Sequence, residues 1–535
     1  MGAAPDGSAE LPERTELPGP AVRALASACS LVADKDSAAE PVTLHKPERG
    51  LPPQEPEALA DRPCRCAVCR DVPAPAAGAA RSGCTAASQG ASGPTFVGVY
   101  PRGLGFLALA EVSRAGATVL EHLEEHCALL FRPPPSTGSE GMELSTFELL
   151  FELLGTAVSL PPAPAVADIA AAAEKEVRAT AELWRSRLRP FSRWRVSVHR
   201  NHLTHRYKAP EVVPVIGDAL AAVGAISLAV GCTAGPVVDL TGFEMEVVAY
   251  LSDGIDKLRA ASDTKGRASL GGKAELLLLG VRCPGAACRP AALVVEKGAV
   301  LSRADDTVAF CVAQRVADLL SARPGAAPGA REGTALVLDP MCGVGTYLLA
   351  LRWVLARREV PGLCSAQLLG VDIDEESVGH LQRNAGRVVD ACRLAALCAS
   401  SAALPIRDAA VDLIVVDPPW GQRHSSHNYV KQFFPRWARE WARVLKPGGI
   451  AVVVTICKKV FEDQVLPPLQ RQGLLVLEEA VQFDNKGWTV CRLYVVRKPL
   501  AGAKVSSPED AAAQAAAEAA SHRSRSYVSS ELLRR

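Results

Sequence analysis

The stretch Leu336-Val-Leu-Asp339-Pro-Met-Cys342-Gly343-Val-Gly345-Thr346 decides how the rest of the chain is read. An apolar run ends in an acid, two glycines follow, and an apolar run from Tyr347 to Val354 comes next. That order predicts a buried strand, a tight turn and a helix start. Glycine lets backbone approach a ligand closely, because it carries no Cβ. In open α/β sheets the mouth of such a unit, at the carboxyl end of the strand, is where nucleotides bind.

A dinucleotide fingerprint needs a third glycine three residues after the second. Here that position is Leu348, so the fit to a nicotinamide cofactor is poor. An acid at the strand end followed by a glycine turn fits S-adenosylmethionine better, since that cofactor has no phosphates to cradle. An ordinary strand-turn-helix is the plainer alternative for this motif taken alone.

Two later strands strengthen the cofactor reading. Leu368-Leu-Gly-Val-Asp372-Ile373-Asp374 ends in acid, and the Asp372 carboxylate could accept both hydroxyls of a ribose. Its plainer reading is the cap of a helix from Glu375 to Arg387, a role that suits Asp374 well. The strand Val411–Val416 then runs into Asp417-Pro418-Pro419-Trp420-Gly421, the sharpest signal in the chain. An exocyclic amine is a poor nucleophile because its lone pair is conjugated. The Asp417 carboxylate and the Pro418 carbonyl could each accept an N–H from such an amine and hold its lone pair toward an electrophile. Trp420 offers a face on which a flipped base can stack. That chemistry calls for no metal and no covalent intermediate.

Together, the turn from Asp339 to Gly345, Asp372 and Asp417-Pro418-Pro419-Trp420 resemble a class I S-adenosylmethionine-dependent amino-methyltransferase over residues 305–498. The resemblance implies an α/β, Rossmann-like domain with a seven-stranded, mostly parallel sheet. It also implies a cofactor site at Asp339, Cys342, Gly343, Gly345, Thr346, Asp372, Ile373 and Ser400, with Asp417, Pro418 and Trp420 catalytic. A helix over 305–320 would pack on the sheet ahead of the first strand. Two positions depart from the pattern. Ser400 stands where the family commonly has an Asp for the adenine amine, and a hydroxyl accepts that bond more weakly. Guanine-N2 members often read Asp-x-Pro-Phe or Asp-x-Pro-Tyr. The fuller Asp-Pro-Pro-Trp is shared with N6-adenine and glutamine-N5 methyltransferases, so the motif fixes a planar NH₂ acceptor better than it fixes the base.

Upstream, Thr95–Tyr100 alternates as a strand, Gly103–Ala115 reads as a turn and helix, and Ala128–Phe131 as a returning strand. Met142–Leu154 is predicted as an amphipathic helix, and 160–180 as an Ala/Pro-rich spacer leading into a helix. In Arg193-Trp-Arg195-Val-Ser-Val-His199-Arg200, Trp194, Val196 and Val198 share one face, and Arg195, Ser197 and His199 share the other. Asn201–Lys208 adds His202, His205, Arg206 and Lys208. A helix then begins at Ala209-Pro210, and Pro214 predicts a late start or a bend. Strands follow at 244–251 and 274–281, with a polar inserted loop at 257–273 between them. The order, carried by Trp194–Asn201, Pro210-Glu-Val212 and Glu246–Leu251, resembles a THUMP domain over 145–290, preceded by a ferredoxin-like unit at 94–144. The resemblance implies binding to the end of tRNA-like acceptor structures. Clustered cations position RNA through its phosphates without reading bases. Arg193, Arg195, His199, Arg200, Arg206 and Lys208 are the candidate contacts. The two resemblances together imply an RNA guanine-N2 methyltransferase acting on tRNA or a similar small RNA. Eukaryotic members often work with a small zinc-binding activator subunit.

Aromatics Tyr429, Phe433, Phe434, Trp437 and Trp441 form a stripe on the helix predicted from His427 to Leu445, and are read as core. Lys446-Pro-Gly-Gly449 stops that helix before a strand at 450–456. Strands at 474–483 and 489–496 close the sheet, the last one antiparallel.

A chain of 535 residues has room for about two to four domains, and 48% hydrophobic content supports a sizeable core. With a net charge of +1, nucleic-acid contact must come from a local patch rather than a global field. Sixteen cysteines are far too few for a disulfide scaffold of this length. Cys311 and Cys457 sit in apolar runs, which predicts a reducing intracellular compartment, cytoplasmic, nuclear or both. No apolar run approaches the roughly 18 residues of a membrane span. The N-terminus shows no basic-then-apolar leader pattern, and Asp6 replaces the Ser/Thr of a myristoylation signal. Residues 1–93 and 499–535 are biased in composition and are expected to be disordered tails, with 291–333 a connecting helix and linker. Cys64, Cys66, Cys69 and Cys84 could hold zinc, but no second close pair completes a site, and a biased segment is the preferred reading. No metal site is therefore assigned.

Overall fold

The computed structural model describes residues 93–135, 143–188, 193–201, 207–226, 237–238, 241–254, 274–282, 305–321, 335–360, 366–386, 393–421, 426–485 and 489–500. The cysteine cluster at 64–84, the loop residues His202, His205 and Arg206, the segment 257–273, the linker at 322–333 and nearly all of both tails lie outside them. None of the described helices is long and apolar enough to cross a membrane.

The first sheet is built from β1 (Phe96–Val99), β2 (Thr118–Leu123), β3 (Ala128–Arg132), β4 (Leu149–Leu153), β5 (Val158–Leu160), β6 (Arg193–Asn201), β7 (Val237–Val238), β8 (Met245–Ser252) and β9 (Glu275–Arg282). Their order is β2-β3-β1-β4-β9-β8-β6-β7, with β5 also paired to β9. Helix α1 (Gly105–Arg114) follows β1, α2 (Val166–Ala179) and α3 (Ala181–Leu188) precede β6, and α4 (Ala209–Ala222) follows it. As expected, Trp194 and Val196 face a core, where they meet Val212, Ile216 and Leu220 of α4.

Three expectations need correction here. Met142–Leu154 is not a helix. Its second half is β4, hydrogen-bonded to β1 on one side and β9 on the other. Within Leu149–Leu153 burial alternates, so Leu149, Phe151 and Leu153 enter the core on a period of two. Over five residues that pattern overrides helix propensity, because neighbouring strands take up the backbone groups. Pro214 does not delay the helix, because α4 already begins at Ala209 and runs through it. The hydrogen bond it forfeits would have served the carbonyl of Pro210, in the first turn, where the loss is small. The third concerns a boundary: β1 pairs directly with β4, so a single sheet crosses the expected border at 144/145.

The second sheet is the expected seven-stranded one. It comprises β10 (Leu336–Asp339), β11 (Gln367–Asp372), β12 (Arg393–Cys398), β13 (Val411–Val416), β14 (Leu445–Thr455), β15 (Val476–Asn485) and β16 (Thr489–Arg497). The order is β12-β11-β10-β13-β14-β16-β15. Five strands run parallel, and β16 is antiparallel to both of its neighbours. Strand β13 is buried along its whole length, as a central parallel strand covered on both faces must be. Each of its Val, Leu and Ile side chains contributes about 1.5–3 kcal/mol by burial. The order reverses between β10 and β13, which opens a crevice at their carboxyl ends.

Helix α5 (Asp306–Ser321) lies against α6 (Thr346–Arg357) in the core of this second sheet. Gln314 of α5 also donates to the buried carboxylate of Glu111 in α1, at 2.9 Å. Glu111 in turn accepts from the backbone N–H and the hydroxyl of both Ser145 and Thr146. This single carboxylate therefore ties α1, the approach to β4 and α5 together. Nearby, the Asp484 N–H on β15 donates to the Arg102 carbonyl at 2.9 Å. Helix α7 (Glu375–Gly386) follows β11, and α8 (His427–Val444) joins β13 to β14.

The aromatic stripe of α8 is only partly core. Phe434, Trp437 and Trp441 are buried, whereas Tyr429 is 40% exposed and Phe433 is half-buried. Steps of four residues drift by roughly 40° around a helix of 3.6 residues per turn, so a long i, i+4 stripe leaves the core at one end.

Candidate active site

The crevice is formed by the turns after β10, β11, β12 and β13. Asp339 ends β10 and is 1% exposed; its Oδ1 accepts the Met341 N–H at 3.1 Å. Burial, with Asp372 and Asp417 close by, pushes its carboxyl well above the ordinary range. The Cys342 N–H donates to the Val371 carbonyl at 2.9 Å and pins the turn to β11. Gly343 and Gly345 both adopt positive φ, +50° and +90°. They do different things. A Cβ on Gly345 would lie 2.2 Å from Leu381 Cδ1, so this glycine lets α6 and α7 close on each other. A Cβ on Gly343 would meet nothing within 4 Å, so this glycine faces open space. Thr346 opens α6 and is buried.

Asp372 ends β11. Its Oδ2 accepts the Gly343 N–H at 2.8 Å and its Oδ1 accepts the Asp374 N–H at 3.0 Å. Burial raises its pKa, and those N–H bonds offset part of the rise. Asp374 caps α7, accepting the Ser377 N–H at 3.1 Å, so the cap and the candidate ribose ligand are separate residues. Ile373 stands 72% exposed beside Asp372, an apolar surface of a kind a flat base can cover. Ser400, past the end of β12, is half-buried, and its hydroxyl accepts the Ala402 N–H at 3.2 Å. Open space over Gly343, a carboxylate at Asp372 and an exposed apolar side chain next to it fit a nucleoside. Three acids at the crevice suit a cofactor with a positive centre. Such a donor set could hold S-adenosylmethionine, Asp372 toward the ribose and Ile373 toward the adenine.

Asp417 follows β13 directly. The Trp420 indole donates to its Oδ1 at 2.7 Å, and Tyr347, in the first turn of α6, also bonds to the carboxylate. Burial dominates and pushes the Asp417 pKa up to about 7, despite the lowering by Trp420 and Tyr347. Trp420 is partly buried against the sheet core, and its carbonyl accepts from the Cys457 thiol at 3.5 Å. Pro418 is buried, and Gly421 ends the segment at a φ of +74°. Tyr347 was not singled out in the sequence. Its signal there is a hydroxyl, next to that of Thr346, at the start of an apolar helix.

These turns lie within a segment that matches a protein-family model. Residues 327–467 match the model of the RMKL-like methyltransferase domain. The chain is 31% identical over 120 residues to the U6 snRNA (guanine-N(2))-methyltransferase THUMPD2 of Bos taurus, covering 22% of each protein. It is 32% identical over 139 residues to the tRNA (guanine(6)-N(2))-methyltransferase THUMP3 of Mus musculus, covering 24% of this chain and 26% of that one. The matches thus span about a quarter of the length of these curated relatives. A possible methylase from Clostridium difficile 630 shares the fold over 77% of this chain and 100% of its own, with a TM-score of 0.52 at 12% identity. The predicted cofactor and catalytic residues follow β10, β11, β12 and β13 of the second sheet.

The candidate RNA contacts lie on the other sheet. Arg193 is half-exposed, with Glu244 at 3.8 Å. Arg195 is engaged differently from expectation. It donates to the buried Glu246 at 2.7 Å and stacks over Phe243 at 3.7 Å. Glu246 also binds Ser197 and Arg282, so Arg195 belongs to a structural ion cluster. His199 is half-buried; burial and the nearby Arg282 lower its pKa. Arg200 donates to the Tyr207 carbonyl, and exposed Lys208 caps α4 through its backbone. Arg206 lies outside the described residues.

Proposed function

We propose that the chain transfers a methyl group from S-adenosylmethionine to the exocyclic N2 amine of a guanosine in tRNA or a similar small RNA. The observation that carries this reading is the Asp417 carboxylate, fixed by Trp420 and Tyr347 at the end of β13, beside the open glycine turn and Asp372. S-adenosylmethionine, when bound, supplies an electrophilic methyl on a sulfonium. Asp417 and the Pro418 carbonyl accept the two N–H bonds of the amine and hold its lone pair in line. A carboxylate titrating at about 7 can also take the proton that the amine sheds after transfer. Pre-set acceptors in a buried pocket need no reorganisation during the step. Trp420 lies beside the acceptor carboxylate and supplies the aromatic face for the base.

We assign the first sheet the role of a THUMP-like RNA-binding region over 145–290, with the 94–144 unit built into the same sheet. Arg193, Arg200, Arg206 and Lys208 are its phosphate contacts, while Arg195 and His199 shape the strand beneath them. A small zinc-binding activator subunit is the proposed partner, and an RNA substrate places the protein inside the cell. Asp-Pro-Pro-Trp sustains a second reading, methylation of adenine N6 or of a glutamine amide.

The test is in vitro methylation of total small RNA with labelled S-adenosylmethionine, with and without the activator subunit, followed by nucleoside mass spectrometry. Label in N2-methylguanosine is the expected result. Label in another nucleoside or in a peptide would overturn the guanine assignment and keep the chemistry. Absence of S-adenosylmethionine binding would sink the enzymatic reading and leave an RNA-binding scaffold.

A further inference from the structure

The catalytic segment and helix α8 are in contact. A Cβ on Gly421 would lie 3.0 Å from both N and Cα of His427, so the turn that carries Asp417 and Trp420 abuts the start of α8. The first turn of that helix presents Tyr429. Its ring is 40% exposed and stacks on Phe433, with centroids 4.4 Å apart and planes 28° from parallel. The Arg436 guanidinium sits over the Phe433 ring at 5.2 Å. Asn428, Gln432, Arg436 and Arg439 are exposed on the same side, while Val430, Phe434, Trp441 and Ala442 face inward.

The charge on this helix is one-sided. Lys431, Arg436, Arg439 and Arg443 stand against Glu440 alone. Glu440 is already engaged, accepting from Arg443 at 2.8 Å and from the Leu404 N–H at 2.9 Å. Arginines interleaved with stacked aromatic rings on an exposed face match the demands of a single strand. Bases stack on the rings, and cations follow the backbone. A core-only role accounts for Phe434, Trp437 and Trp441, but not for Tyr429, which has left the core.

We propose that the exposed face of α8, Tyr429 and Phe433 with Arg436 and Arg439, is a stacking platform for the unpaired nucleotides that flank the target guanosine. This rests on the reading of the site as an RNA methyltransferase. Charge complementarity and contact with the catalytic segment favour RNA over a protein partner here. A nucleotide stacked on Tyr429 would fix the strand where it enters the crevice, so its neighbour reaches Asp417 already oriented. The platform therefore acts on substrate binding rather than on the chemical step.

The experiment uses the full chain. Binding of a short fluorescein-labelled single-stranded RNA with one guanosine is measured by anisotropy for wild type, Tyr429→Ala, Tyr429→Phe and Arg436→Ala. Loss of the stacking ring in Tyr429→Ala is expected to weaken binding roughly tenfold, with Tyr429→Phe close to wild type. Arg436→Ala is expected to lower the salt dependence of binding by about one contact. S-adenosylmethionine affinity should not change in any of the three. Wild-type RNA affinity in Tyr429→Ala would overturn the platform, whether the face then serves a protein partner or nothing. A wild-type chain that labels a peptide, yet loses RNA binding in Tyr429→Ala, would overturn the proposed function and with it the role beside a target guanosine, leaving Tyr429 as a nucleotide-stacking residue only.

Discussion

The indole nitrogen of Trp420 donates to Asp417 Oδ1 at 2.7 Å, so the two ends of the Asp-Pro-Pro-Trp segment hold each other. The bond lowers the carboxyl pKa against the upward pull of burial. Trp420→Phe keeps an aromatic face and removes that donor. The midpoint of the pH–rate profile is expected to rise by about one pH unit, with KM for RNA little changed. A profile identical to wild type would mean that the bond does not set the carboxylate.

In its proposed role Asp417 accepts best when ionised. Its folded pKa, about 7, lies above the ordinary 3.8, so the working form grows as pH rises through 7. The rate constant kcat should fall about tenfold per pH unit well below that midpoint. Stability runs the opposite way. The contribution of this group is fully present below pH 3.8 and is lost as pH rises through about 7. Single-turnover rates from pH 5.5 to 8.5 would check the first statement, and thermal melts over a wider range the second.

Asp417→Ala should reduce transfer by at least about 100-fold while leaving S-adenosylmethionine affinity within twofold, roughly. Calorimetric titration of the variant separates the two effects. Loss of cofactor binding would reassign Asp417 to the cofactor.

The two turn glycines should fail differently. Gly345→Ala combines a left-handed backbone with a clash on Leu381, and the backbone alone costs about 1–2 kcal/mol. Its Tm should fall by roughly 5 °C. Gly343→Ala pays only the backbone cost, but its methyl fills the open space beside Asp372. Weaker S-adenosylmethionine binding with the smaller Tm change is expected; the reverse ranking would contradict the roles given to the pair.

Arg195→Ala should destabilise the fold by about 2 kcal/mol, because it strips one of two arginines from buried Glu246. Arg193→Ala, at a half-exposed site, should leave Tm unchanged and weaken RNA binding. Chemical denaturation and RNA titration of both variants test the distinction.

Much of this was legible in the chain itself. Strand, glycine turn and helix at 336–354, the acid ending β11, and Asp417 after β13 are local patterns, set by backbone sterics and short-range periodicity. They sufficed to predict a seven-stranded, mostly parallel sheet and to name residues that the structure sets at the ends of its strands. The sequence could not show that Leu149–Leu153 is a strand, because five residues with a period of two acquire their meaning only from the strands on either side. It could not show that Arg195 is committed to Glu246, since the two are 51 residues apart and meet only through the pairing of β6 with β8. Nor could it show that Tyr347 bonds to Asp417, that Gly345 seats Leu381 while Gly343 faces open space, or that Tyr429 leaves the core beside Gly421. Residue type and spacing determine which groups are available. Long-range packing alone decides which of them are already engaged with one another and which remain to meet a substrate.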